Sequence, residues 1–351
     1  MFSNNICIAL HFVLDIVCAI SELKHNKEVC VSLLRIATRR WAHVLPLALG
    51  DIPGAEELID LELRHSTPSL WSEPNLDGAE TSFSSYVRAR AEGDTSVTAL
   101  PFFIMRGFRH RCFIVNKLSH LHSPSELRGA TVGLTGWPDS GNTWTRAIVR
   151  DHGIELDEVA WRVGRLTGSH PEQDRLGRSP LPPEADVTAR EQPLLDGLLD
   201  GTLDAVMTPF MPESFLAPDS PFRVLFEDTQ ATEAAYFSER RYIPGLHLLT
   251  VRTSVLAHRP TLADELMGAF TEAQRLSHRD RSKLQDVTPW TNEALRLSVA
   301  AVGHEFNPVG LERNRPMIED FQRELCEQHL MRSPVPLHEL FPYSTGSEAT
   351  L

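Results

Sequence analysis

The sequence predicts an α/β fold of two lobes joined by two crossover segments, with a cleft between the lobes. Short apolar runs alternate with amphipathic helical stretches along the chain, and this alternation is typical of a mostly parallel sheet covered by helices. The pattern occurs in two blocks, one at about residues 120–240 and the other in the sequence on either side of it. A cleft between two such lobes is a favoured place for a ligand.

Apolar runs of strand length predict the strands, and apolar residues at helical spacing predict the helices. The predicted strands are residues 32–37, 97–103, 112–116, 130–134 and 246–251, and residues 201–207 are predicted to pass from the end of a helix into a strand. The predicted helices are residues 142–152, 194–203, 259–276 and 315–330. Pro260 falls in the opening turn of the third helix, a position that suits proline. Residues 165–186 are rich in glycine, proline and charge and are predicted to form a mobile excursion.

These elements divide the chain into four parts. An N-terminal extension of unclear role covers residues 1–31, lobe 1 covers residues 32–118 and 245–342, lobe 2 covers residues 119–244, and a flexible tail covers residues 343–351. Within the extension, residues 6–20 are apolar like the core of a secretion signal, but no basic stretch precedes them, and His11 and Asp15 interrupt them. A short helix packed on the body and an extension without function are the alternatives.

The charge balance excludes some classes of partner. The chain of 351 residues has 47 acidic and 34 basic side chains, which gives a net charge of −13. Nucleic-acid binding through phosphates needs a net basic face, and so does attraction to an anionic membrane surface, so neither partner is expected. No run of 18 apolar residues free of charge occurs either, so no spanning helix is expected.

Common motifs for a serine nucleophile, for nucleotide cofactors and for metals are missing from the sequence. It contains no GxSxG, GxxxxGK[ST] or HExxH motif and no GxGxxG after a strand. The histidines show no metal-ligand spacing supported by nearby carboxylates. The five cysteines are scattered without a CxxC pair, which favours a reducing, cytoplasmic compartment over a disulfide scaffold. We therefore expect neither a metal nor another cofactor.

One cluster of basic side chains lies between two predicted strands. The stretch PFFIMRGFRH, residues 101–110, holds Arg106, Arg109 and His110 within five residues. In an extended chain Arg106 and His110 would share one face and Arg109 would lie on the other. Such a cluster can bind a carboxylate in bidentate fashion and supply an acid. The alternative is a strand end with solvated arginines and a histidine bonded to the backbone.

This stretch is one of a series of segments that follow in a fixed order. The others are LRGATVG at residues 127–133, WTR at 144–146, GTLDA at 201–205, PGLH at 244–247, PW at 289–290 and PVG at 308–310 with Asn314. Together they resemble the 4,5-dihydroxyphthalate decarboxylase family over about residues 32–342. The loop at residues 135–142 and Val309 depart from the family pattern, and they lie where a ligand would lie, so the resemblance specifies the reaction better than the substrate.

The resemblance implies a type II periplasmic-binding-protein-like fold that serves an enzyme rather than a transport receptor. It also implies non-oxidative loss of CO2 from an aromatic ortho-dicarboxylate with ring hydroxyls, such as 4,5-dihydroxyphthalate. This chemistry needs no electron-sink cofactor, because a ring hydroxyl pushes electron density to the carbon that takes up the proton. The protein must hold a small anionic aromatic substrate, deliver one proton and stabilise charge on the phenol oxygen.

Under this interpretation His110, Arg109 and His247 are the predicted catalytic residues. His247 lies in an apolar strand, where it is either an alternative proton donor or a structural core histidine. A histidine pKa near 6.5 suits a proton donor at neutral pH.

A further set of polar residues is predicted to bind substrate. They are Arg106, Arg146, Ser85, Tyr86, Glu80, Ser140 and Asn142. Ser140 and Asn142 open a helix whose free N–H groups attract a carboxylate, or they only cap that helix. Arg146 completes this anion site or lies on the surface. Ser85 and Tyr86 hydrogen-bond the substrate or start a helix, and Glu80 alternatively orients an arginine.

Two other functions are compatible with the sequence. One is a non-catalytic solute-binding protein of the same fold for a small anionic ligand, although no convincing export signal is present. The other is a different lyase or isomerase on this scaffold. The sequence also leaves open whether the chain assembles as a homo-oligomer.

Overall fold

The computed structural model of the protein describes residues 33–169, 185–186, 192–259, 261–281, 283 and 289–344. Three predicted segments lie wholly or mostly outside these ranges: the N-terminal extension, the excursion and the C-terminal tail. Among the described residues, no helix combines the length and the apolar character needed to cross a membrane.

The described strands form two sheets. The first contains β1 (Leu34–Arg39), β2 (Ile59–Arg64), β3 (Gly78–Ser82), β4 (Val97–Ala99), β5 (Met105–Arg106) and β12 (Gly245–Arg252). The second contains β6 (Phe113–Asn116), β7 (Thr131–Leu134), β8 (Ala160–Val163), β9 (Ala185–Asp186), β10 (Ala205–Met207) and β11 (Phe222–Val224). The first sheet has the order β2-β1-β3-β12-β4 with β5 paired to β12, and the second has the order β11-β6-β10-β7-β8-β9.

Helices cover and connect the sheets. They are α1 (Leu45–Ala48), α2 (Phe83–Ala91), α3 (Ser140–Asp151), α4 (Leu194–Asp200), α5 (Thr229–Arg240), α6 (Thr253–His258), α7 (Leu262–Arg281), α8 (Thr291–Val302), α9 (Leu311–Glu327) and α10 (Leu337–Leu340). With the parallel pairs β1–β2, β1–β3, β7–β8, β8–β9 and β7–β10, they form the α/β architecture that the sequence predicts.

The chain passes between the sheets twice. It leaves the first sheet after β5 and enters the second at β6, and it returns between β11 and β12. Residues 113–116, which the sequence analysis assigned to lobe 1, therefore pair within the second sheet. The first crossover is residues 107–112, so Arg109 and His110 lie in a connection between the sheets rather than in a strand.

Helix α3 packs against both halves of the molecule. Trp144 and Ala147 belong to a hydrophobic core shared with the first sheet and α9, whereas Ile148 and Val149 belong to the core of the second sheet. The indole of Trp144 donates a hydrogen bond to the carbonyl of Gly245 in β12, at 3.0 Å. The two pairs lie on neighbouring faces of the helix, because successive residues differ by about 100° in direction, and one helix therefore contributes to both cores. This packing fixes the start of α3 at the junction of the two sheets.

Candidate functional site

Hydrogen bonds join the two halves at the start of α3. The hydroxyls of Ser82 and Ser140 lie 3.0 Å apart, and the backbone N–H of Ser84 donates to the Ser140 hydroxyl at 2.9 Å. The Ser84 hydroxyl donates to the carbonyl of Pro138 at 2.5 Å. The Ser140 hydroxyl thus makes its hydrogen bonds across the junction. These bonds place the end of β3 beside the first turn of α3.

Asp139 caps α3, in place of the two residues predicted from the sequence. Its carboxylate accepts the backbone N–H of Asn142 at 2.9 Å and the side-chain amide of the same residue at 2.9 Å. The Asn142 amide also donates to the carbonyl of Gly136 at 2.8 Å, so it holds the loop before the helix. The side-chain carbonyl Oδ1 of Asn142 is buried and has no hydrogen-bond partner among the described residues.

Arg109 lies against this helix start. Its side chain is 1% exposed, and neither Nε nor Nη2 has a hydrogen-bond partner among the described residues. A Cβ atom at Gly141 would lie 2.6 Å from Nη2 of Arg109, so glycine is what allows the guanidinium to reach the first turn. Burying an unpaired cation is costly. Together with the positive end of the helix dipole, this guanidinium is suited to bind an anion.

His110 occupies an aromatic environment next to Arg109. Its ring meets Phe226 and Tyr236 edge to face, each with ring centroids 5.3 Å apart. Burial, and to a smaller extent the nearby His152, lowers the pKa of His110 to about 4. The imidazole is therefore neutral at neutral pH, and the role of His110 as the general acid stays a prediction that this lowered pKa does not favour.

Arg106 is bonded within the protein, unlike Arg109. It donates to the carbonyls of Ile243 and Pro308 at 3.1 and 3.2 Å and to the side-chain oxygen of Asn314. Burial lowers its pKa to about 9. It does not share an extended strand with His110 either, because β5 ends at Arg106 and a 3-10 turn begins at His110. Arg106 therefore links the second crossover to the start of α9, whereas the sequence predicted that it binds substrate.

Arg146 also has protein partners. Its Nε donates to Gln328 at 2.9 Å, its Nη2 donates to the carbonyl of Trp137 at 2.8 Å, and its guanidinium carbon lies 4.0 Å from the centre of a Trp137 ring. It is fully buried, and this burial lowers its pKa to about 9. Arg146 is therefore neither on the surface nor open to a ligand through these two nitrogens, and it anchors the loop before α3.

A buried carboxylate, Glu80, collects four hydrogen bonds at the end of β3. Its oxygens accept the backbone N–H of Arg39 at 2.8 Å, Nε of Arg39 at 2.9 Å and the Trp41 indole at 2.9 Å. Nδ1 of His247 lies 2.6 Å from Oε1. Burial opposes the charge on Glu80, but the bond from His247 and the positive charge of Arg39 outweigh it and lower the pKa of Glu80 to about 2. Glu80 therefore orients an arginine, as the sequence analysis allowed, and a histidine as well.

This network sets the protonation of His247. Nδ1 of His247 lies between an acceptor, Oε1 of Glu80 at 2.6 Å, and a donor, Nη2 of Arg39 at 3.1 Å. Because the contact with the ionised Glu80 is the shorter one, we assign a proton to Nδ1 and a free lone pair to Nε2. Burial lowers the pKa of His247 although Glu80 opposes that effect, and the side chain remains 17% exposed. The negative charge of Asp139 also opposes the lowering of the His247 pKa. The imidazole therefore lies within electrostatic range of the start of α3. The arrangement matches that of a carboxylate-oriented general base.

The two remaining predicted residues lie away from the junction. Ser85 is exposed on α2. Tyr86 is fully buried, its hydroxyl donates to the carbonyl of Leu340, and burial raises its pKa to about 12. Of the two predicted alternatives, substrate binding or the start of a helix, the structure shows the second: both residues lie near the start of α2, which turns Ser85 to solvent and Tyr86 into the core. Ser82 and Ser84 face the junction instead.

Removal of the Tyr86 hydroxyl tests this assignment. Tyr86→Phe is expected to lower the free energy of unfolding by about 1–2 kcal/mol, because the Leu340 carbonyl loses its buried partner. Ligand affinity and turnover should stay unchanged. Urea unfolding and steady-state kinetics measure the two effects, with Ser85→Ala as a control that should change neither. A raised KM at unchanged stability would instead show that Tyr86 contacts the substrate.

Three residues of this site were not predicted from the sequence: Arg39, Trp41 and Asp139. Arg39 ends a strand whose neighbours are parallel, and ligands in α/β sheets bind beyond the carboxyl ends of strands. That position is a signal that could have singled it out. No group of three or more histidine, cysteine, aspartate or glutamate side chains that could hold a metal ion occurs within the described part of the chain.

Comparison with solved structures identifies the class of fold. The sulphonate-binding protein SsuA of Escherichia coli, a periplasmic protein, matches over 91% of this chain and 94% of its own, with a TM-score of 0.53 and 13% identity. The desulfurization enzyme DSZB matches over 88% of this chain and 96% of its own, with a TM-score of 0.50 and 16% identity. These likenesses confirm the predicted periplasmic-binding-protein-like α/β fold.

Comparison with curated proteins gives more specific relatives. The chain is 29% identical to a 4,5-dihydroxyphthalate decarboxylase of Comamonas testosteroni, over 90% of this chain and 98% of that protein. It is 27% identical to a protein of the same name from Pseudomonas putida, over 60% of this chain and 83% of that protein. No family model matches the chain. The two relatives confirm the predicted resemblance, and their shared name is that of a carboxy-lyase.

Proposed function

We propose that the protein is a decarboxylase that acts without a cofactor on a hydroxylated aromatic carboxylate such as 4,5-dihydroxyphthalate. The observation that carries this proposal is the buried, unpaired guanidinium of Arg109 at the start of α3. The same helix start bonds Ser82, which pairs with His247 across the sheet. The names of the two curated relatives support the reaction class.

In the proposed complex Arg109 and the first turn of α3 bind a substrate carboxylate. The guanidinium offers Nε and Nη2, neither of which has a described protein acceptor to give up. A bidentate contact of this type also orients the plane of the carboxylate. A ring hydroxyl then faces Nε2 of His247, which the bond from Nδ1 to Glu80 leaves as a hydrogen-bond acceptor.

The proposed reaction begins with proton transfer from the ring hydroxyl to Nε2 of His247. The resulting phenolate pushes electron density to the ring carbon that carries the leaving carboxylate, and this carbon takes up a proton. The bond to the carboxylate then breaks, its electron pair returns to the ring, and CO2 leaves. His247 gives its proton back to the phenolate oxygen. Over the cycle one proton from solvent replaces CO2 on the ring.

An assay of CO2 release tests the proposed function. Purified protein with 4,5-dihydroxyphthalate is expected to release one CO2 for each dihydroxybenzoate formed, and in D2O the product should carry one deuterium at the vacated carbon. Phthalate is the matched control, because without a hydroxyl it has no phenolate to push electrons and should bind without reacting. Binding of a panel of hydroxylated aromatic acids with no CO2 from any of them would support a solute-binding protein instead.

A further inference from the structure

Helix α5 brings a carboxyl group to the first crossover. Tyr236 of α5 packs against the rings of His110 and Phe108, with centroid distances of 5.3 and 6.2 Å. Glu233 lies one turn earlier on the same helix. The backbone N–H of Arg111 and the positive charges of Arg111 and Arg109 act on the pKa of its carboxyl group, so this carboxyl group lies within electrostatic range of the crossover. Arg109 therefore lies against the start of α3 and within electrostatic range of Glu233.

Glu233 and Arg109 are close but not bonded to each other. Oε1 of Glu233 is buried and lacks a hydrogen-bond partner within the described ranges, as do Nε and Nη2 of Arg109. Burial raises the pKa of Glu233, and the N–H of Arg111 and the charges of Arg111 and Arg109 offset this only in part. A substrate carboxylate on Arg109 would strengthen the same effect, because it neutralises a nearby cation and adds a like charge.

We propose that Glu233 is the catalytic acid that delivers the proton to the ring carbon as CO2 leaves. This inference rests on the proposed function, in which the ring carbon needs a proton that His247, as the base, does not supply. The Glu233 O–H bond breaks and a C–H bond forms at the carbon that carries the carboxylate. The C–CO2 bond then breaks and restores the aromatic ring, and solvent reprotonates Glu233.

Other groups near Arg109 are less suited to this step. His110 is neutral at neutral pH, with its pKa lowered to about 4 by burial. Asp139 is engaged as the cap of α3. A carboxyl group with a raised pKa and a neutral histidine are the two kinds of group that can divide the acid and base roles in one site.

Substitution by the isosteric amide tests the assignment. Glu233→Gln is expected to lower kcat by about 100-fold or more, in the range of general acid catalysis, while KM changes by less than about threefold. Glu233→Asp should regain part of the loss because it restores a carboxyl group. Glu239→Gln is the matched control on the same helix, since its side chain is 75% exposed, and it should leave kcat unchanged.

Hydrogen exchange of the product gives a second readout that does not depend on CO2 release. By microscopic reversibility, the wild-type protein in D2O should exchange the ring hydrogen of the dihydroxybenzoate product at the carbon that carried the carboxylate. Glu233→Gln should abolish this exchange. If the wild type is active and Glu233→Gln keeps full kcat and full hydrogen exchange, the acid role of Glu233 is overturned while the proposed function stands. A wild type that decarboxylates no hydroxylated aromatic acid would overturn the proposed function and the acid role with it.

Discussion

Arg109→Gln is expected to lower kcat/KM by a factor of at least about 100, which corresponds to roughly 3 kcal/mol of lost interaction with a desolvated carboxylate. The thermal unfolding temperature should change little or rise. Nε and Nη2 of Arg109 have no hydrogen-bond acceptor among the described residues. The substitution therefore breaks no hydrogen bond of these two atoms, and it removes an unpaired buried charge. The substitution should therefore weaken substrate binding and not the folded state. Steady-state kinetics measures kcat/KM, and calorimetry measures the unfolding temperature.

A second buried arginine provides the matched control. Arg106→Gln removes bonds to two backbone carbonyls and to Asn314, so it should lower stability first and activity only through that loss. Arg109→Lys should recover little, because an ammonium group keeps the charge but not the planar pair of donors. Full activity in Arg109→Gln would show that the carboxylate binds elsewhere.

The sequence predicts much of the fold because its strands are locally distinctive. Apolar runs located β4, β6, β7, β10 and β12, and helical spacing located α3, α4, α7 and α9. The segment Gly78–Ser82 was not predicted as a strand, although residues 78–81 are buried at the centre of the first sheet. Its sequence, GAETS, is short and polar. It forms a strand because it pairs with β1 and β12. These partners are distant in sequence, so the segment itself shows no local pattern of strand residues.

The residue types of the site are also readable from the sequence, but their partners are not. Glu80 lies opposite Leu249, so His247 stands two residues along β12 on the same face of the sheet. Only this register explains why a buried glutamate and a strand histidine form a pair. Similarly, the phase of α2 separates Ser85 from Tyr86, because adjacent residues of a helix differ by about 100° in direction.

Glu80→Gln is the second substitution with a large expected effect. It should lower kcat by about 100-fold to 10⁴-fold, as expected when the group that orients a general base is lost. The amide cannot hold His247 in the tautomer with the proton on Nδ1 as a carboxylate does, and it loses the charge that binds Arg39. Glu62→Gln is the control: Glu62 also pairs with an arginine, Arg64, but at a side chain that is 47% exposed, and it should leave kcat unchanged.

The pH profile of kcat/KM distinguishes a base from a merely structural pair. His247 is active as a base when neutral, and burial lowers its pKa, so wild-type activity should persist below pH 6.5 and fall only when His247 gains a proton. Glu80 opposes that lowering, so Glu80→Gln should move the acidic limb to still lower pH. An unchanged limb would show that His247 is not the titrating base.

The same carboxylate should determine stability in acid. The pKa of Glu80 is lowered from 4.5 to about 2 in the folded protein, so the unfolded chain takes up its proton first as the pH falls. The stabilisation from Glu80 is complete above about pH 4.5 and is lost progressively as the pH falls to about 2. Urea unfolding of the wild type and of Glu80→Gln across this range should show a steeper decline for the wild type. Parallel declines would mean that Glu80 is not held ionised by Arg39 and His247, and the proposed base would then lack its orienting carboxylate.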